Sequence, residues 1–320
     1  GNTGTGGGGT IGLGTDNVDN TAVNDDPTNA GSLPSDIAGT EDVASNVDLS
    51  AVDFSDEDAA AGSLTVTLTT STGGDLTAAA GAGITLGGTP TALTISGTLT
   101  DLNNYFNTAS NITYLHGTPH TNGDNADTIQ VEINDNGNTG TGGGTDINLG
   151  AVNVDITAVN DDPTATAPAS YAATEQVSLT LEGTGLSIGD VDSGANDIEA
   201  TLSVVSGTLT VSAGTTGVGV VGSGTNNVTL TGTVTEINNL LAGNLGAADS
   251  YIINSDTPPA TDTLTLGVDD QGFTGTGGAK TDSANSTINI TAVNDDPSNA
   301  GSLPSDIAVT EDVSSNVDLG

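Results

Sequence analysis

The heptapeptide Thr-Ala-Val-Asn-Asp-Asp-Pro occurs three times, at 21–27, 157–163 and 291–297. Its asparagines, Asn24, Asn160 and Asn294, lie 136 and then 134 residues apart. A period of that size is a whole domain rather than one coil of a solenoid, whose repeats run to 20–50 residues. Pro27, Pro163 and Pro297 therefore read as boundaries, because proline drives the preceding residue into an extended conformation that suits a linker. The chain parses into the C-terminal part of one repeat (1–26), two complete repeats (27–162 and 163–296) and the N-terminal part of another (297–320). A longer period overlies this one: the segment from Pro27 to Val43 returns almost unchanged from Pro297 to Val313, two repeats later. Gly1 to Gly6 likewise matches Gly137 to Gly142. These matches suggest a window cut from a longer array, with any export or anchoring signals outside it.

Within a repeat the apolar residues alternate. Leu64/Val66/Leu68, Ile129/Val131/Ile133 and Val152/Val154/Ile156 each skip one position, as do Val177/Leu179/Leu181, Leu202/Val204, Leu264/Leu266/Val268 and Ile288/Ile290. That period of two predicts strands with one face in a core and one in water. One stretch breaks the pattern in each repeat. Leu102, Tyr105 and Phe106, like Ile237, Leu240 and Leu241, stand at i, i+3, i+4, one face of a short helix. Thr100 and Thr235 are the expected N-caps, followed by an acid in the first turn. The expected fold class is all-β: tandem antiparallel β-sandwich domains, each with one short helix. A parallel β-helix fits less well, because the repeat is domain-sized.

Charge narrows the function. The sequence holds 41 Asp plus Glu against one Lys plus Arg (Lys280), a formal net charge of −40. Nucleic acid and anionic membrane repel such a chain. The carboxylates must be solvated, bonded to backbone N–H groups or bound to metal. Acidity with 2% aromatics is also found in disordered chains, but 34% hydrophobic residues in strand periodicity argue against that here. No run of 18 apolar residues occurs, so no helical span is expected. There is no cysteine, hence no disulfide, thiol nucleophile or cysteine-bound zinc. Gly6–9 and Gly142–144 lack the lysine of a phosphate loop and read as hairpin tips. His116 and His120 flank Gly117 and Pro119 and have no counterpart in the second repeat, so histidine chemistry is not the repeat's function. No nucleophile–base pair of the usual kinds can be built in every repeat. The chain is expected not to be an enzyme.

The acids gather around the heptapeptides. The first boundary carries Asn24, Asp25, Asp26, then Glu41, then Asp56 and Asp58. The second carries Asn160, Asp161, Asp162, then Glu175, then Asp190 and Asp192; the third carries Asn294, Asp295, Asp296 and Glu311. Asp135 precedes the second boundary, and Asp270 takes its place before the third. Calcium takes six to eight oxygen ligands, and hard oxygen donors without His or Cys favour it over zinc or copper. An Asp-x-Asp pair on extended backbone would put both carboxylates on one side. Asp and Asn are also natural turn formers, and these residues have that reading too.

The stretch Val159-Asn160-Asp161-Asp162-Pro163 resembles the inter-domain linker of cadherin repeats. Asp190-Val-Asp192-Ser193-Gly194-Ala195-Asn196 resembles their Asp-x-Asp-Ser-Gly-x-Asn loop, and Asp270-Gln-Gly272 their Asp-x-Gly motif. The whole repeat is similar to the cadherin-like tandem domains of giant bacterial adhesins, a type that often ends in RTX calcium repeats and leaves the cell by type I secretion. The resemblance implies Ca2+ at the junctions, an extracellular or cell-surface location, and neighbouring repeats as the first partners. It also implies an extender role, with like chains in a surface fibre as a second possibility. Cadherin linkers carry a further acid two residues before the Asn, where Ala22, Ala158 and Ala292 stand. The first repeat, Ser55-Asp56-Glu57-Asp58-Ala59, keeps Asp-x-Asp but not Ser-Gly-x-Asn. Intramolecular Lys–Asn crosslinks, another staple of surface domains, are excluded in 27–162, which has no lysine. A self-assembling filament or surface layer, and a carbohydrate-binding or hydrolytic module, are the rival readings.

Overall fold

The alternating pattern becomes strands over most of its length. A computed structural model describes residues 14, 17–296, 307–314 and 316–317, so the Gly6–9 stretch and the repeat's return at 297–306 lie outside the described residues. Two compact units are present, residues 1–159 and 160–320. In the first, the order is β1 (Thr28–Asn29), β2 (Asp36–Thr40), β3 (Ser45–Asn46), β4 (Phe54–Ser55), β5 (Ser63–Thr70), β6 (Gly74–Ala78), β7 (Thr85–Thr89), β8 (Ala92–Thr98), α1 (Leu99–Phe106), β9 (Ile112–His116), β10 (Gly123–Asn134) and β11 (Ile147–Thr157). The second repeats it as β12 (Thr164–Thr166), β13 (Ser170–Thr174), β14 (Leu179–Thr180), β15 (Ser187–Gly189), β16 (Ile198–Val204), β17 (Thr208–Ser212), β18 (Gly219–Val221), β19 (Asn227–Gly232), α2 (Val234–Leu241), β20 (Ala248–Ile252), β21 (Thr261–Asp269) and β22 (Thr281–Thr291).

Each unit is an all-β sandwich with the same topology. A six-stranded sheet, β2-β11-β10-β5-β8-β7 or β13-β22-β21-β16-β19-β18, faces a three-stranded one, β3-β9-β6 or β14-β20-β17, with β1-β4 or β12-β15 completing each unit. One pairing departs from the antiparallel expectation: β2 lies parallel to β11, and β13 to β22. The inward residues Leu64, Val66, Leu68, Ile129, Val131 and Ile133 are wholly buried, as are Ile198, Leu202, Leu230, Leu264, Leu266 and Ile288 in the second unit. Each such side chain contributes about 2 kcal/mol by leaving water. Val177 is different. It is 55% exposed and belongs to a turn after Glu175, so β14 begins only at Leu179.

The helices start two positions before the expectation allowed. Their N-caps are Thr98 and Thr233, not Thr100 and Thr235. The decisive spacing is Thr-x-x-Asp/Glu: Thr98 Oγ1 accepts from the Asp101 N–H, and Thr233 with Glu236 forms a full capping box. Leu102, Tyr105 and Phe106, and Ile237, Leu240 and Leu241, are buried. On the outer turn of each helix one asparagine fastens a strand. Asn103 exchanges two hydrogen bonds with the backbone of Phe54, and Asn238 does the same with Ile188.

With almost no cations available, one buried carboxylate in each unit is held by N–H groups. Asp127 is 1% exposed and accepts from the N–H groups of Ser71, Thr72, Thr128 and Gly74 and from the Tyr114 hydroxyl. Burial pushes its pKa up, but those bonds outweigh burial and hold it at about 2. Asp262 repeats the arrangement with Val205, Ser206, Gly207, Thr263 and Tyr251. Both acids pin the turn that carries the chain from the large sheet to the small one. Gly207 is needed there because any β-carbon would run into the Tyr251 ring.

Candidate metal centre

Folding gathers most of the sequence-predicted acids into two clusters per unit. One lies where β10 meets β11 (or β21 meets β22), and the other where β11 (or β22) ends. The eleven residues of β11 separate them by roughly 35 Å at about 3.3 Å per residue.

In the first unit, Asn24 donates through Nδ2 to Asp135 and to the Asp25 carbonyl. The Asp25 N–H donates to Asp58 Oδ2 at 3.2 Å. Asp135 Oδ1 accepts the Gly137 and Gly144 N–H groups, both at 2.9 Å. Asp56 Oδ1 accepts from Asp58 N and Ala59 N. A cleft lined by Asp25, Asp26, Thr28, Ser55, Asp56 and Glu57 opens beside this group.

The second unit repeats these contacts. Asn160 Nδ2 donates to Asp270 Oδ2 at 2.5 Å and to the Gly278 carbonyl. The Asp161 N–H donates to Asp192, and Asp190 Oδ1 accepts from Asp192 N and Ser193 N. Asp270 Oδ1 accepts from Gly272 N and Lys280 N. Asp162 meets the Lys280 ammonium at 3.0 Å. The Asp-x-Asp segments are thus turns rather than extended backbone: the first Asp of each closes the turn with its own Oδ1, which leaves its Oδ2 to face elsewhere.

The same two atoms are left over in both units. Asn24 Oδ1 and Asp56 Oδ2 are buried without a hydrogen-bond partner, and so are their counterparts Asn160 Oδ1 and Asp190 Oδ2. Asn160 is wholly buried. An unpaired buried acceptor costs about 1–3 kcal/mol, and the penalty falls twice per cluster at matching positions. Burial raises the Asp56 carboxyl, with the Asp58 carboxylate adding to it. For Asp135 and Asp270 burial acts upward too, but the N–H groups and the Asn amide outweigh it and lower both. They stay ionised. The donor set is all oxygen and the orphans are acceptors, which fits a hard divalent cation.

At the other end, Glu41 and Glu175 are 2% and 1% exposed. Their Oε2 atoms accept the N–H of Val159 and Val293, and the Glu backbones bond to Thr157 and Thr291. Glu41 Oε1 takes the Asn122 amide, whereas Glu175 Oε1 is buried with no hydrogen-bond partner. Glu175, Asp256 and Asp295 bring one oxygen each within 4.8 Å of one another. Asp256 went unrecognised in the sequence. It lies alone in the 253–260 loop, and only its nearness to Glu175, with Gln176 bonded to it, marks it. In the first unit that loop carries His120, whose imidazole stands 3.3 Å from Asp42. Asn294 donates to the Asp295 carbonyl. Asp296 and Glu311 are exposed, and Glu311 sits in a turn of the described 307–314 segment.

No family model matches the sequence, and no curated protein matches it. Solved structures do. Human protocadherin-24 EC1-2 is 12% identical over 84% of this chain and 100% of its own, with a TM-score of 0.34. Protocadherin PcdhgB3 EC1-4 is 15% identical over 85% and 51%, with a TM-score of 0.37. The SrpA adhesin of Streptococcus sanguinis is 14% identical over 42% and 57%, with a TM-score of 0.21. What decides the class is internal: twelve elements in the same order, with the same pairings, in both units. Each unit is an all-β sandwich domain. Among the described residues no helix is long and apolar enough to cross a membrane.

Proposed function

We propose that the chain is a structural extender segment of an extracellular, surface-attached bacterial adhesin, without catalytic activity, whose linkers are held by Ca2+. The observation that carries this reading is the matched pair of orphaned acceptors, Asn24 Oδ1 with Asp56 Oδ2 and Asn160 Oδ1 with Asp190 Oδ2. In a chain of net charge −40, two sandwiches have kept the same unsatisfied oxygens beside the same carboxylates. Asn24, Asp56, Asp58 and Asp135 would hold an ion in the first unit, and Asn160, Asp190, Asp192 and Asp270 in the second, with Asp25 and Asp161 beside them. When bound, calcium supplies the positive charge that cancels repulsion among these acids. The side chains do the rest: Asp135 and Asp270 anchor the linker asparagine, and Asp58 and Asp192 hold the next linker residue by its N–H. Because Asn-Asp-Asp is the linker itself, an ion there stiffens the array's joints. Glu175, Asp256 and Asp295 offer a second position. The resemblance of the repeat to cadherin-like adhesin domains supports the same reading.

Small-angle scattering of the full chain in calcium and in chelator tests it. The expected result is a longer, stiffer particle and a higher melting temperature in calcium; identical profiles and melting temperatures in both would overturn the reading. A self-associating filament would instead show mass growing with protein concentration in calcium.

A further inference from the structure

The one lysine of 320 residues lies at one of these clusters and not at the other. Its place is set by the backbone. Lys280 N donates to Asp270 Oδ1 at 2.8 Å, and the Asp270 N–H donates to the Lys280 carbonyl at 3.1 Å, so the residue is locked to the loop that positions Asp270. Its ammonium reaches Asp162 Oδ1 at 3.0 Å. In the first unit the N–H that plays this part toward Asp135 belongs to Gly144, which has no side chain. The two clusters therefore match in their carboxylates and their orphaned oxygens and differ by one positive charge.

Resting on the calcium reading above, we propose that Lys280 is a built-in counter-cation that competes with the metal, so that the second unit's linker cluster binds calcium more weakly than the first unit's and depends on it less. Besides Asp162, the charges of Asp161 and Asp270 act on the Lys280 ammonium. A divalent ion entering the cluster must either displace the ammonium from Asp162 or sit beside it. One unit charge at contact distance in a water-like dielectric changes affinity by about five- to tenfold. The side chain is one-third exposed, so the effect weakens as salt rises. The array would then hold joints of graded calcium demand, set by whether a repeat carries lysine or glycine after its Asp-Gly loop.

The test is calcium titration of the full chain by calorimetry, in parallel with thermal melting in chelator and in excess calcium, for the native protein, Lys280→Gln and Lys280→Arg. Two classes of site are expected in the native chain. K280Q should tighten the weaker class about five- to tenfold, and K280R, which keeps the charge, should leave it unchanged. The melting effect should depend on calcium: K280Q melts lower than native in chelator, where the cluster's lysine charge has been lost, but not in calcium. A native chain that binds calcium with K280Q unchanged or weaker overturns the lysine's role alone. A flat isotherm for both proteins overturns the role and the calcium reading together.

Discussion

Asp249 occupies a core position of the second unit, and replacing it should change how that unit responds to pH. It pairs opposite Val211 in β17, and its carbonyl accepts the Leu181 N–H at 2.9 Å. In the first unit the same place, bonded to Val47 N, is held by buried Ile112. Asp249 is wholly buried, and neither carboxyl oxygen has a hydrogen-bond partner. Its own N–H donates to Glu182 Oε2 at 2.9 Å, which brings a second carboxylate alongside, and Tyr171 is the other titratable group that senses its charge. Burial first, and then the charge of Glu182, push the Asp249 carboxyl up to about 8. A carboxyl raised from an ordinary value near 4 by about 4 pH units is worth on the order of 5 kcal/mol. The sign follows from proton linkage: the folded form keeps a proton that the unfolded form releases. Its contribution is whole below about pH 4, falls by about 1.4 kcal/mol per pH unit, and is gone once pH passes about 8. Both histidines lie in the first unit. Calorimetric melting of the full chain from pH 5 to 9 at fixed calcium should show the second unit's transition sliding downward, and Asp249→Ile should abolish the slide while raising the melting temperature most at pH 9. Equal pH slopes for native and D249I would refute the reasoning.

Other expectations rest on single contacts. Asp262→Asn removes a carboxylate that takes four N–H groups and the Tyr251 hydroxyl; a loss of about 3 kcal/mol is expected in chemical denaturation. Asp127, held at about 2, contributes stability above pH 4 that is lost as pH falls through 2, so Asp127→Asn should flatten the first unit's acid-unfolding curve in that range. Gly207→Ala forces a methyl into the Tyr251 ring and should cost about 1–3 kcal/mol, read as a lower melting temperature. Thr233→Ala breaks the capping box and should cost about 1 kcal/mol, with amide exchange rising first in α2.

Period and pattern were legible in the chain itself. The heptapeptide spacing, the two-residue alternation and the i, i+3, i+4 triplets at Leu102 and Ile237 needed no tertiary information, because strand and helix periodicity are local properties of backbone geometry. The concentration of acids around each heptapeptide was legible too; in the fold Asn160 bonds to Asp270, and Asp161 to Asp192, which itself bonds to Asp190. What the chain could not tell was which of its many acids are buried and what they face. Asp127, Asp249 and Asp262 look in sequence like any other Asp beside a Thr, Ser or Ala, yet one is satisfied by four N–H groups and another by none, because that depends on strands more than fifty residues away. The cap at Thr98 over Thr100, the turn at Asp190-Val-Asp192, the parallel pairing of β2 with β11 and the recruitment of Asp256 to Glu175 were settled in the same way. In each, a local preference had two acceptable outcomes, and long-range packing and hydrogen bonding selected one.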